Sequence, residues 1–220
     1  MERGSFMEHT ATLSRILCNA KQTTTSHGKK VFSERAWIHS HGLETEQGDK
    51  TYYPDPDCAL LHYAWEHYAF WRAKYPDRAA LFDAPGIFGE NFSTQGMTEQ
   101  SVCAGDIFNV GTALLQVSWG RIACNTMAGR LEDNAAPALM HAQSRNGWFY
   151  RVLQEGEVYA GATFDLLERT YGQWPLSRVQ DIIFDLAASR EALEAVYQIE
   201  TLSATWREQI RDRLEPLDPR

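Results

Sequence analysis

"AGDIFNVGTALLQVSWGRIAC", residues 104–124, holds a clear β signal and a chemically suggestive thiol. Its first part, 106–118, reads as two apolar strands about a turn near Val110-Gly111-Thr112. Trp119-Gly120 then breaks the second strand, and Arg121 stands three residues before Cys124. A lone cysteine is more often a buried, inert space-filler than a reactive group. A guanidinium beside a thiol, however, favours the thiolate, which is the nucleophilic and metal-ligating form. Soft thiolate sulfur suits soft or sulfur-rich metal centres. The position directly after a strand and a glycine is compatible with a thiol exposed at a barrel rim.

Strands dominate the sequence before this stretch. Residues 13–20 (LSRILCNA) and 31–39 (VFSERAWIH) read as strands, separated by a polar loop at 21–30. Residues 41–57 are rich in Gly, Pro and Asp and read as an irregular loop, a common place for functional groups. The spacing of Leu60, Leu61, Ala64, Tyr68 and Trp71 predicts a helix over 58–76, capped by Asp57 and ended by Pro76. Residues 86–96 form a Gly-rich loop. Residues 147–156 are expected to be a short helix and 157–169 to return to strand. Beyond Gly172 the period changes. Leu176, Val179, Ile182, Ile183 and Leu186 make one helical stripe behind Pro175. Ser189 and Ser203 are caps for two further helices, the last stopped by Pro216. Short amphipathic helices must pack on one another or on the strands. The division expected is a β-rich domain at 10–171 and a helical appendage at 172–220.

With 220 residues, 44% hydrophobic and 23% charged, the chain can bury a sizeable core without staples. A net charge of −8 disfavours a nucleic-acid or anionic-membrane surface, yet a few arginines can still converge on one anionic small ligand. The four cysteines, Cys18, Cys58, Cys103 and Cys124, show no C-x-x-C spacing, which fits reduced thiols in the cytoplasm. No signal peptide or membrane-spanning apolar run is visible, and the first few residues read as a loose tail. On the predicted helix, His62 and His67 are five apart and diverge by about 140°, so they do not share a metal-binding face. His39 and His41 flank Ser40 without an evident third ligand. No nucleophile elbow, P-loop or dinucleotide fingerprint is present.

Several stretches together resemble the MOSC-domain family, and within it the bacterial hydroxylaminopurine-resistance proteins of the YiiM type. They are DCALLHYAWEHYAFW (57–71), FGENFSTQGMTE (88–99), residues 104–124 with the R-x-x-C ending, and RNGWFYRVLQEGEVYAG (145–161). The terminal helices are similar to the helical appendage of that branch. The resemblance covers roughly residues 30–215. It implies an α+β fold, mainly β: a barrel with a few helices and a pocket near its mouth. It also implies Cys124 as the protein ligand to the molybdenum of a pterin cofactor, or as a sulfur carrier. Arg121, Arg145 and Arg151 fall in matching motifs and are candidates for holding the pterin phosphate, since guanidinium forks suit phosphate oxygens. Glu90 and Asn91 are candidates for orienting the loop or the ligand. One stretch departs from the family pattern. Where the family reads H-G-G-x-D-[RK]-A-[LV], this chain has YYPDPDCAL (52–60): Tyr53 replaces the histidine, Pro54 and Asp55 the glycines, and Cys58 the cation. Pro and Asp obstruct the close backbone approach that two glycines permit.

Three functions follow, in order of preference. The first is a molybdenum-cofactor-dependent oxidoreductase reducing N-hydroxylated compounds, supplied by an electron-donating reductase because the chain has no flavin or iron–sulfur motif. The second is a metal-independent enzyme acting on a small molecule through the altered loop, with Tyr53 lining it and Asp57 and Cys58 as acid–base or nucleophilic groups. The third is a sulfur carrier using Cys124. Expected partners are a small-molecule substrate, the reductase and a second copy in a homodimer, with no nucleic acid and no membrane.

Overall fold

The computed structural model describes residues 8–19 and 30–215. The expected N-terminal tail (residues 1–7), most of the 21–30 loop and the Pro216 stop lie outside them. The strands run β1 (Glu8–Asn19), β2 (Lys30–Ser33), β3 (Arg35–His39), β4 (Gly42–Thr45) and β5 (Lys50–Tyr52). A 3-10 turn at Pro56–Cys58 leads into β6 (Leu60–Ala64), α1 (Glu66–Lys74), a second 3-10 segment and β7 (Phe92–Gln95). The hairpin β8 (Ile107–Val110) and β9 (Ala113–Gly120) follows, then α2 (Asn125–Leu131) and α3 (Ala136–Ala142). Strands β10 (Trp148–Gln154), β11 (Gly156–Tyr159) and β12 (Thr163–Glu168) complete the β part. Helices α4 (Leu176–Phe184), α5 (Arg190–Tyr197) and α6 (Ala204–Leu214) end the described chain.

Seven strands close a ring in the order β12-β8-β9-β10-β6-β7-β1, because β1 also pairs with β12. All its ladders are antiparallel except β6–β7, which is parallel. Closure removes the free edges that an open sheet would present. Strand β2 extends β1, and a four-stranded sheet, β11-β3-β4-β5, packs beside the barrel. The predicted 31–39 strand thus divides at Glu34 between two sheets. The β8–β9 hairpin forms as its sequence requires. Gly111 turns it with φ +60°, and a Cβ there would stand 2.2 Å from the Glu157 carbonyl oxygen.

Two expected helices are corrected. Residues 60–64 of the predicted 58–76 helix are strand, and the helix begins at Glu66. Every residue of β6 is buried, so it shows no period of two, and Leu60, Leu61 and Ala64 line up by chance with the helical spacing of Tyr68 and Trp71. His62 and His67 therefore lie on different elements. Asp57 does not cap this helix; in the turn before it, Asp55 accepts the Asp57 N–H at 2.9 Å. The predicted 147–156 helix is β10, a central barrel strand between β9 and β6.

The barrel interior, the inner face of the small sheet and the inner faces of α4–α6 form one buried cluster, including Leu13, Phe92, Phe164, Val179, Leu193 and Trp206. Ser189 and Ser203 cap α5 and α6, each accepting a backbone N–H at 3.2 Å. A second, aromatic cluster lies outside the barrel, where Tyr63, Tyr68, Trp71 and Phe88 meet Met127, Leu131 and Met140 of α2 and α3.

Two buried polar residues hold the strands in register. Asn91 Oδ1 accepts the Leu61 N–H at 3.1 Å, and its Nδ2 donates to the Leu17 carbonyl at 3.1 Å, so it bridges β6 and β1. Asn91→Leu strands both main-chain groups, and urea denaturation should show a loss of roughly 2–5 kcal/mol. His62 stacks on Trp148 at 4.2 Å and hydrogen-bonds Tyr150 Oη (3.1 Å) and Thr94 Oγ1 (2.8 Å). Burial pushes its pKa from 6.5 down to about 3. Below pH 6.5 the unfolded chain binds a proton that the folded chain refuses, so folding stability falls as pH drops from about 6.5 towards 3. Denaturation series at pH 7 and pH 4 should show His62→Gln losing less on acidification than wild type, by up to about 3 kcal/mol.

Candidate functional site

Strand β9 ends at Gly120, and the chain leaves the barrel through residues 121–124 before α2 begins. Two hydrogen bonds anchor this passage: Arg121 N–H to the Gly147 carbonyl (2.9 Å) and Ala123 N–H to His141 Nε2 (2.9 Å). Cys124 occupies the N-cap of α2 in an extended conformation, and its side chain is exposed. Burial of its sulfur raises the thiol pKa, but the Thr126 hydroxyl and N–H, the Arg121 guanidinium and the Met127 N–H outweigh it. The net pKa lies below the ordinary thiol value.

Arg121 itself is buried, which pushes its pKa down, and Tyr63, Cys124 and Tyr53 partly offset this. Its Nη1 donates to the Phe88 carbonyl at 2.8 Å. Arg130, from α2, donates to the neighbouring Ile87 carbonyl at 3.2 Å. Neither guanidinium has a carboxylate partner among the described residues. Gly89, with φ +79°, lets this loop pass against Arg130: a Cβ there would lie 2.5 Å from its Nη1. Glu90 closes the loop from inside. Its Oε1 accepts the Gly86 N–H at 2.7 Å and the Tyr68 hydroxyl, while its buried Oε2 has no hydrogen-bond partner among the described residues.

Tyr53 stands within electrostatic reach of Arg121 and Arg130. Burial pushes its hydroxyl up to about 12, with the two arginines opposing, so it stays protonated. His141 also feels Arg121; burial first, then that charge, push its pKa down. Arg121 thus ties the Cys124 passage to the 86–91 loop, and Arg130 and His141, which sequence reasoning missed, contact the same two segments at Ile87 and Ala123. Arg130 lies six residues beyond Cys124 in a short helix that no apolar period announces.

The other candidates are engaged by partners within the fold. Arg151 Nε pairs with Asp57 Oδ1 at 2.8 Å, and its Nη1 reaches Gln116 Oε1 at 3.3 Å. Asp57 Oδ2 accepts the Ala204 N–H at 3.1 Å, so this carboxylate ties the 3-10 turn to β10 and to the start of α6. Arg145 donates to His67 Nδ1 at 2.7 Å and covers the Phe70 ring at 4.6 Å. His67 Nε2 in turn meets Glu99 Oε2 at 2.6 Å. Asn91 is enclosed between strands, as described above. Cys58 faces Asp55 Oδ2 at 3.8 Å; burial and then that carboxylate push its thiol up to about 12. No cluster of three or more His, Cys, Asp or Glu side chains suited to a metal ion occurs among the described residues. No described helix is long and apolar enough to cross a membrane.

Comparison with known proteins agrees with this architecture. The MOSC domain model matches residues 27–165, and the model of the YiiM-like 3-alpha helix domain matches residues 174–216. Protein YiiM of Escherichia coli (strain K12) is 41% identical over 149 residues, 67% of this chain; the match spans 62% of that protein, under two thirds of its length. The crystal structure of YiiM from Escherichia coli superposes with a TM-score of 0.77 at 30% identity, covering 94% of this chain and 92% of that one. A protein named Reductase from Gibberella moniliformis is 38% identical over 126 residues, 57% of this chain and 22% of its own length. The chain belongs to the MOSC-domain family and is most similar to its bacterial YiiM-type members.

Proposed function

We propose that this MOSC protein acts through the Cys124 thiolate, which serves as protein ligand to the metal of a pterin-bound molybdenum cofactor, in the reduction of N-hydroxylated compounds. The observation that carries the reading is the pairing of an exposed, acidified thiol with two guanidinium groups that lack carboxylate partners among the described residues. The donor set fits the group: soft sulfur for the metal, and guanidinium forks for the pterin phosphate. When bound, the cofactor supplies oxygen-atom abstraction, a chemistry no side chain offers. Cys124 would hold the metal, and Arg121 and Arg130 would neutralise the anionic ligand. Tyr53, which keeps its proton, would donate a hydrogen bond towards it. The chain needs an external electron donor. The fungal relative named Reductase, in which the matching region is 22% of the length, supports a partnership with redox machinery.

The accessibility of Cys124 favours a second reading, sulfur carriage. The thiolate would attack the outer sulfur of a donor persulfide and displace the donor's thiolate, leaving a persulfide on Cys124. A metal-independent role for the 52–58 loop would fall to residues already engaged in the fold. Both Asp57 oxygens are engaged, and Cys58 stays a neutral thiol at physiological pH.

Iodoacetamide at pH 7.5 should label Cys124 at least about tenfold faster than Cys58, read by peptide mass spectrometry, because the thiolate is the reacting form. Equal rates would remove the basis of both readings. Protein purified from cells able to make the cofactor should carry molybdenum and fluorescent pterin. Cys124→Ser should lose most of the metal, and Arg130→Gln should retain about tenfold less pterin. Wild-type protein free of both, with one added sulfur on Cys124, would decide for the carrier.

A further inference from the structure

The passage that presents Cys124 is tied to the C-terminal helices through one imidazole. His141 on α3 accepts the Ala123 N–H at Nε2, 2.9 Å away, which places the ring proton on Nδ1. The same ring lies flat on Phe184, with centroids 4.0 Å apart and planes 12° from parallel. Phe184 is the last residue of α4. Two more bonds fasten α4 to the segment between α3 and β10. Ser144 Oγ donates to Asp181 Oδ1 at 3.0 Å, and Gln180 Nε2 to the Gly147 carbonyl at 3.5 Å. Gly147 also receives the Arg121 N–H, so both anchors of residues 121–123 lead back to α4.

We propose that His141 is a positioning residue for Cys124, and that α4 holds it in place through Phe184, giving the helical segment a direct part in presenting the thiol. The physical case is one of constraint. Between the end of β9 and the start of α2, Ala123 N–H has a side-chain acceptor and no backbone one. Without that acceptor the passage keeps the Arg121 anchor and the Met127 N–H to Cys124 carbonyl bond, but loses its fixed point beside the thiol. Phe184 supplies the flat surface that keeps the imidazole from rotating its Nε2 away. The proposal rests on reading Cys124 as a functional thiol, but not on which ligand that thiol takes.

The experiment measures iodoacetamide labelling of Cys124 in the full-length protein at pH 7.5, by peptide mass spectrometry, beside melting temperatures. His141→Leu keeps an apolar body against Phe184 and removes the acceptor; labelling should change by about fivefold as Cys124 loses its fixed presentation. His141→Gln restores an acceptor and should return the rate to near wild type. Phe184→Ala, at a half-buried position, should change labelling comparably while the protein stays folded. Equal rates in the Leu and Gln variants would overturn the role of His141. A wild-type rate in Phe184→Ala would overturn the role of α4. If His141→Leu fails to fold, the Phe184→Ala and His141→Gln rates decide alone. Failure of the molybdenum reading would leave all these rates unchanged, whereas wild-type Cys124 reacting no faster than Cys58 would strike the thiol reading itself.

Discussion

A buried guanidinium with no carboxylate partner among the described residues is the constraint on which this site depends. Removing Arg121 from water costs several kcal/mol unless its donors are met. What meets it is the Phe88 carbonyl, on the 86–91 loop. That loop is clamped by Glu90, which gathers Gly86 and Tyr68, and by Asn91, which fastens its end to β1 and β6. Strand β9, the 86–91 loop and the Cys124 passage thus form a mutually supporting unit. The field of Arg121 then falls on each titratable group nearby, lowering Cys124 and His141 and opposing the burial of Tyr53. A charge with neutral acceptors keeps its field available to a ligand, whereas Arg151, paired with Asp57, has much of its field cancelled locally.

How much of this could be read from the sequence follows from where each signal resides. The hairpin of β8 and β9 was legible because its turn is local: Gly111 lies between two apolar runs. The C-terminal helices were legible because each buries one face, and Ser189 and Ser203 mark two of their starts. Strand β6 was illegible because it is covered on both faces, by the barrel core on one side and the aromatic cluster on the other. Alternation cannot appear where no face meets water. The same applies to α2 and α3, which have seven residues each and are too short for a helical period to stand out.

The site divides in the same way. The spacing of Arg121 and Cys124 is local, and it pointed to the thiol and its nearest cation. Arg130 and His141 meet the 86–91 loop and the 121–124 passage only through the way α2 and α3 fold back over them. That information lies in tertiary packing. Arg145 and Arg151 show the converse: a motif fixed their positions in the chain, but not the partners that engage them. Arg145 meets a histidine and a phenylalanine ring, and Arg151 meets Asp57.

The altered 52–58 loop takes on a different meaning in three dimensions. As a sequence, it replaces a glycine-rich cradle with Pro54, Asp55 and Cys58, which argues against close approach of an anion. In the fold, its acidic and thiol groups are largely occupied by structure. Asp55 caps the 3-10 turn, Asp57 joins β10 to α6, and Cys58 holds its proton. Of the substituted positions, Tyr53 is the one that reaches the field of Arg121 and Arg130. The substitution therefore exchanges a titrating imidazole for a hydroxyl that stays neutral across the physiological range. Beside two guanidinium groups that meet carbonyls and no carboxylate among the described residues, a neutral hydroxyl adds a donor without a further cation to repel them.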